Sequence, residues 1–104
     1  MTSVDIGTLE DFTNGEARQV RAGGRVLVVV RIDADVYVLD DRCSHEEFSL
    51  AEGEVNAETC EIECARHGAM FSLKDGEPQS FPATRPVGHY DIRQNEGRLE
   101  VMLP

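Results

Sequence analysis

Cys43-Ser44-His45 and Cys64-Ala65-Arg66-His67, separated by eighteen residues, put two thiolates and two imidazoles into two short segments. Each segment offers one sulfur and one nitrogen donor. Two occupants suit such a set. A single tetrahedral ion can take all four ligands, or a two-iron cluster can take both cysteines on one iron and both histidines on the other. The order Cys, His, Cys, His differs from the usual zinc finger, in which the cysteines pair with each other and the histidines follow. Cys60 lies four residues before Cys64 and reads as a free thiol, buried or half-buried, whose replacement by serine leaves the metal site's spectrum intact. His89, beside Tyr90, reads as a surface or strand-edge histidine outside the donor set.

The elements that must hold these segments are strands. Arg18 to Ala22 ends at Gly23-Gly24, a tight-turn pair that predicts a hairpin. Arg25 to Ile32 is β-branched and almost uninterrupted, the pattern of a central, well-buried strand. A turn at Asp33-Ala34-Asp35 leads into a strand over Val36 to Leu39, which runs straight into the first donor segment. Near the C-terminus Tyr90-Asp91-Ile92 alternates, Asn95-Glu96-Gly97 turns, and Leu99, Val101 and Leu103 alternate again. That predicts a hairpin able to pair with N-terminal strands. A short helical turn is expected around Thr8 to Asp11. Residues 43 to 86 are rich in Gly, Pro and acid and read as irregular chain, inserted into one β structure with too little apolar sequence for a core of its own.

The chain has 104 residues, the length of one domain, and its longest apolar run, Val26 to Val30, is five residues, far short of a membrane span. Met1-Thr2-Ser3-Val4-Asp5 has neither the basic start nor the apolar core of a secretory signal. Three cysteines without such a signal argue against a disulfide framework and for a reducing, cytoplasmic compartment. Twenty acidic against ten basic residues, a net charge of −10, should repel nucleic acid and favour a partner with a basic docking patch. Solubility alone would also account for that charge.

The stretch Cys43-Ser44-His45 … Cys64-Ala65-Arg66-His67-Gly68-Ala69-Met70-Phe71 closely resembles the Rieske-type [2Fe-2S] ferredoxins, whose pattern is C-x-H, a gap of this order, then C-x-x-H-G with an aromatic shortly after. The resemblance covers nearly the whole chain. Asp40-Asp41-Arg42 leads into the first loop as in that family, Leu50-Ala51-Glu52-Gly53 follows it, and Phe81-Pro82-Ala83-Thr84-Arg85-Pro86 looks like the family's proline loop, with Pro82 and Pro86 shielding the cluster. It implies an all-β fold, a Rieske-like antiparallel β sandwich or barrel. Residues 1–104 would form a single domain with an inserted cluster-binding subdomain at about 42–86. It also implies the ligands: Cys43 and Cys64 on the inner iron, His45 and His67 on the outer iron. The high-potential branch carries a disulfide between the two loops, and a Ser and a Tyr that donate hydrogen bonds to the cluster region. The matching positions here are Phe48 and Arg66, and Ala69 and Phe71. The resemblance therefore implies a potential toward the low end of the Rieske range of about −150 to +300 mV.

By that resemblance the protein is no enzyme. It is expected to be a monomeric one-electron carrier, taking electrons from a flavin-dependent ferredoxin reductase and giving them to a terminal non-haem iron oxygenase of Rieske type, with no membrane or nucleic-acid partner. An accessory ferredoxin of iron–sulfur cluster assembly fits the same residues. A structural zinc-binding module is the reading the donor set alone leaves open.

Overall fold

Neighbouring side chains of a strand point to opposite faces, so an apolar run without polar interruption needs cover on both sides. The computed structural model describes residues 2–42, 49–65, 68–79 and 85–104. Its strands are β1 (Thr2–Thr8), β2 (Ala17–Ala22), β3 (Arg25–Ile32), β4 (Asp35–Asp40), β5 (Val55–Asn56), β6 (Glu61–Glu63), β7 (Met70–Ser72), β8 (His89–Tyr90), β9 (Ile92–Asn95) and β10 (Arg98–Leu103). They form three antiparallel sheets with the orders β2-β3-β4-β8, β1-β10-β9 and β5-β6-β7. Leu27, Val28, Val29 and Val30 of β3 are all 0% exposed. Leu27 and Val29 join Phe12, Val38, Leu99 and Val101, the interior of a sandwich between the first two sheets. Val28 and Val30 face the other way and join Leu39, Leu50, Ile62 and Phe71, beneath the small sheet. Each fully buried aliphatic side chain contributes about 1.5–3 kcal/mol, so the double cover of β3 is a large part of what holds the layers together.

The meander β2-β3-β4 forms as the turn residues dictate, with Gly23 and Gly24 both at positive φ in the first hairpin. A 3-10 turn at Leu9–Asp11 follows β1, and the Asp11 carboxylate accepts a hydrogen bond from the Thr8 N–H at 2.9 Å. The C-terminal hairpin pairs β9 with β10, and β10 in turn pairs with β1. The all-β expectation is met by a sandwich and not by a barrel: among the described residues the sheets stay open. Two elements differ from the expectation. Thr2–Thr8 is a strand although its sequence shows only Val4 and Ile6 in alternation. Its register comes from β10, with a shift between Asp5 and Gly7, and the Arg98 guanidinium grips Asp5 through two 2.9 Å bonds. The segment expected to be irregular carries β5, β6 and β7, which at two to three residues each are too short to show a period. Their apolar residues do not pack alone; Ile62, Phe71 and Leu73 share one cluster with Val28, Val30 and Leu39. No helix among the described residues is long and apolar enough to cross a membrane.

Candidate metal centre

Three connections, or excursions, of the chain join strands of these sheets, and hydrogen bonds pin the described residues at their stems. The first runs from β4 to β5. Arg42 and Ser49 bridge across its base, and the Leu50 N–H donates to the Asp41 carbonyl at 2.6 Å. The second joins β6 to β7. The Cys64 N–H donates to the Ala69 carbonyl at 2.7 Å, and the Gly68 N–H donates back to the Cys64 carbonyl at 2.8 Å. Gly68 sits at φ 73, a left-handed conformation that glycine adopts without steric cost. The third runs from β7 to β8. The Gln79 N–H donates to the Met70 carbonyl at 2.7 Å on one side, and the Val87 N–H to the Gly76 carbonyl at 2.9 Å on the other.

The stems are also tied to one another. The Glu63 N–H, immediately before Cys64, donates to the Glu54 carbonyl at 2.8 Å, so the exit of the first excursion lies against the entry of the second. Gly53 makes that approach possible: a Cβ there would stand 1.6 Å from the Glu63 carbonyl oxygen. The Asp40 N–H donates to the Gly88 carbonyl at 2.8 Å, joining the start of the first excursion to the return of the third. Tyr90 reinforces this junction by donating to the Asp40 carboxylate at 2.6 Å; burial first, then that bond, pushes its phenol above the ordinary tyrosine value.

Of the four candidate ligands, Cys64 is within the described residues. Its side chain is 0% exposed, it forms no disulfide, and it lies in the cluster with Leu50, Ala69 and Phe71. Cys43, His45 and His67 lie outside the described residues, as do Glu46, Glu47, Phe48, Arg66 and Pro82. A free, buried thiol at the closed end of a hairpin suits a soft, thiolate-seeking metal group. Ala69 and Phe71 are both fully buried, and neither carries a polar side-chain donor. Phe71 is among the largest side chains of the core, a packing role that its reading as an aromatic after the second motif did not reveal. Pro86 is exposed, and His89 is exposed on β8, the outer strand of its sheet.

Cys60 is half-buried in the turn between β5 and β6, with φ 57, and its carbonyl accepts from the Leu73 N–H at 2.9 Å. A hydrogen bond with the Cys60 side chain, then desolvation, pushes the Tyr37 phenol up to about 12. A tyrosine whose pKa is raised by folding stabilises the fold fully below the unfolded value of about 10, and that contribution is lost as pH climbs toward 12. Cys60→Ala should therefore bring the late ultraviolet-detected tyrosinate titration down toward 10 while the visible absorption of the metal site stays as in the wild type. Loss of that absorption would place Cys60 among the ligands.

Sequence reasoning gave no role of its own to Asp41, Gln19, Ser49 and Gly53, which the stems depend on. Asp41 sits in an acidic run that looks solvated, and Gly53 shows its value only against a strand eight residues further on.

Comparison with known proteins adds identity to this geometry. A family model described as "Rieske [2Fe-2S] domain" matches residues 2–91. The chain is 34% identical over 96 residues to the anthranilate 1,2-dioxygenase ferredoxin subunit of Burkholderia cepacia, covering 92% of this chain and 87% of that one. Its fold is similar to the ferredoxin of carbazole 1,9a-dioxygenase from Nocardioides aromaticivorans IC177, with a TM-score of 0.94, 33% identity and 97% of each chain covered. A second solved structure, a complex of reduced oxygenase and oxidized ferredoxin in carbazole 1,9a-dioxygenase, matches with a TM-score of 0.87 and 33% identity over 95% of this chain and all of that one.

Proposed function

Because the chain belongs to the Rieske [2Fe-2S] domain family, we propose that Cys43 and Cys64 hold the inner iron of one [2Fe-2S] cluster and that His45 and His67 hold the outer iron. The protein is a one-electron carrier, the ferredoxin component of a bacterial Rieske-type dioxygenase system, and makes and breaks no substrate bonds itself. The observation that carries the ligand assignment is the placement of Cys64: a buried free thiol on a closed turn whose stem is locked to those of the other two excursions.

The cluster, when bound, supplies the site that takes up and gives back one electron. The protein's own residues fix its surroundings. Burial of Cys64 keeps water from the inner side, and the cross-tied stems fix the ends of the donor segments relative to one another. Ala69 and Phe71 offer no side-chain hydrogen bonds toward the site, which supports a potential near the low end of the range for such clusters. Glu54, Glu58 and Glu63 line a shallow groove with Val55 and Met70 on the small sheet, beside the second stem. With a net charge of −10, this surface suits brief, salt-sensitive contact with a basic patch of a terminal oxygenase. A flavin-dependent reductase upstream, a monomeric carrier and a cytoplasmic setting complete the reading.

The deciding experiment is EPR of anaerobically purified protein, oxidised and dithionite-reduced, together with metal and sulfide analysis. A rhombic signal of low average g, present only after reduction, with iron and labile sulfide in equal amounts, is the expected result. A sample silent in both states that contains zinc overturns the reading. In the same preparation, the rate of electron delivery to a terminal oxygenase should fall as salt is added.

A further inference from the structure

Asp41 is the one buried charged side chain among the described residues, at 4% exposure, and it lies two positions before Cys43. A buried carboxylate costs several kcal/mol unless its oxygens are satisfied, and here neutral donors from separated parts of the chain satisfy them. One oxygen accepts from Gln19 Nε2 on β2 at 2.6 Å and from Ser49 Oγ at 2.6 Å. The other accepts from the Ala51 N–H at 2.9 Å. The backbone of the same residue donates to the Val26 carbonyl on β3 and accepts from the Leu50 N–H. Residue 41 therefore grips both the central sheet behind it and residues 49 to 51, where the chain returns from the first excursion.

We propose that Asp41 is a positioning residue for the cluster: its carboxylate clasps the two ends of the first donor segment together and so sets how Cys43 and His45 are presented. The proposal rests on the reading of Cys43 and His45 as ligands. A residue that only stabilised the sandwich would sit between its sheets; Asp41 instead ties the two ends of one excursion to each other and to the outer edge of β2 and β3 at their stem. As a fixed negative charge close along the chain to that stem, it also opposes the addition of an electron.

The test uses the holoprotein with Asp41→Ala, Asp41→Asn and Ser49→Ala. It measures the rate of iron loss to a chelator, the EPR g values of the reduced state, the midpoint potential and the thermal midpoint. Asp41→Ala is expected to speed iron loss about tenfold, as lost partners of metal ligands commonly do, and to broaden or shift the g values. Asp41→Asn keeps the shape and an acceptor for the Ala51 N–H, so it should restore most of the iron retention while raising the midpoint potential. Ser49→Ala removes one donor and should speed iron loss about threefold. Unchanged iron loss and g values in Asp41→Ala overturn the proposal, even if the thermal midpoint falls. Should Asp41→Ala fail to fold, wild-type iron loss, g values and potential in both Asp41→Asn and Ser49→Ala overturn it. A Cys43→Ser protein with an undiminished cluster signal would instead overturn the ligand assignment beneath it, a result independent of every Asp41 variant.

Discussion

Cys64→Ala should yield a colourless protein, silent in EPR after reduction, with iron reduced to less than about a tenth of the wild-type content. The size of the effect follows from position. Changing an outer partner of a metal ligand commonly costs 10- to 100-fold in affinity, about one to two powers of ten, and a ligand itself costs more. Alanine is the informative substitution. Cys64 lies at 0% exposure among Leu50, Ile62, Ala69 and Phe71, so serine would bury a hydroxyl at a cost of about 1–3 kcal/mol and confuse loss of ligation with loss of packing. Alanine leaves an apolar site with a small void, and the strand pairs of the sandwich do not involve it. Far-ultraviolet circular dichroism should therefore stay that of a β protein while visible absorption disappears. A Cys64→Ala protein that keeps its colour and its rhombic signal would remove Cys64 from the ligand set.

Gly53→Ala should destabilise the whole protein by about 3 kcal/mol or more, at the upper end of what overpacking costs. Against a total stability of about 5–15 kcal/mol for a domain, that is a large fraction. The backbone of Gly53, at φ −86 and ψ 176, is open to any residue, so the cost is purely steric. The added methyl would fall 1.6 Å from the Glu63 carbonyl oxygen and 2.8 Å from its carbon, both backbone atoms of β6. Relief requires β6 to move away from the first stem. The Glu63-to-Glu54 hydrogen bond would be strained and the entry to Cys64 shifted, so iron retention should fall with stability. Gly24→Ala is the control. That glycine has φ 79 and open space around its Cβ position, so alanine there meets only the left-handed backbone penalty of about 1 kcal/mol. Equal thermal midpoints for the two variants would show that the contact with Glu63 relaxes freely and that the stems are not rigidly joined.

The sequence carried the frame wherever local chemistry decides it. Gly23-Gly24 and Asn95-Glu96-Gly97 mark real hairpins, and the unbroken apolar run marks a buried central strand, covered on both faces from Leu27 to Val30 while Val26 stays exposed. The alternating Cys and His spacing pointed to the family, and the family match over residues 2–91 agrees with it. What was illegible depends on contacts between distant residues. β1 is a strand because β10 lies beside it, and Val4 and Ile6 alone give too weak a pattern. β5 to β7 are shorter than one clear period. Asp41 looks like its neighbour Asp40 in the sequence, and only the fold brings Gln19, Ser49 and the Ala51 N–H to it. A glycine that admits a carbonyl, as Gly53 admits Glu63 and Gly76 admits Val87, shows nothing of its partner in its own surroundings along the chain.

Because β3 lends Val28 and Val30 to one cluster and Leu27 and Val29 to the other, the two cores share a wall. Neither can melt without exposing one side of the strand that the other is built on. The metal-bearing half and the sandwich are thus thermodynamically linked: whatever binding energy the cluster contributes is felt at the far sheet through β3 and through β4, whose Leu39 and Val38 divide between the two clusters in the same way. The amide protons of β3 would exchange with solvent only through opening of the entire molecule, and their exchange rate would report the stability that metal loading adds.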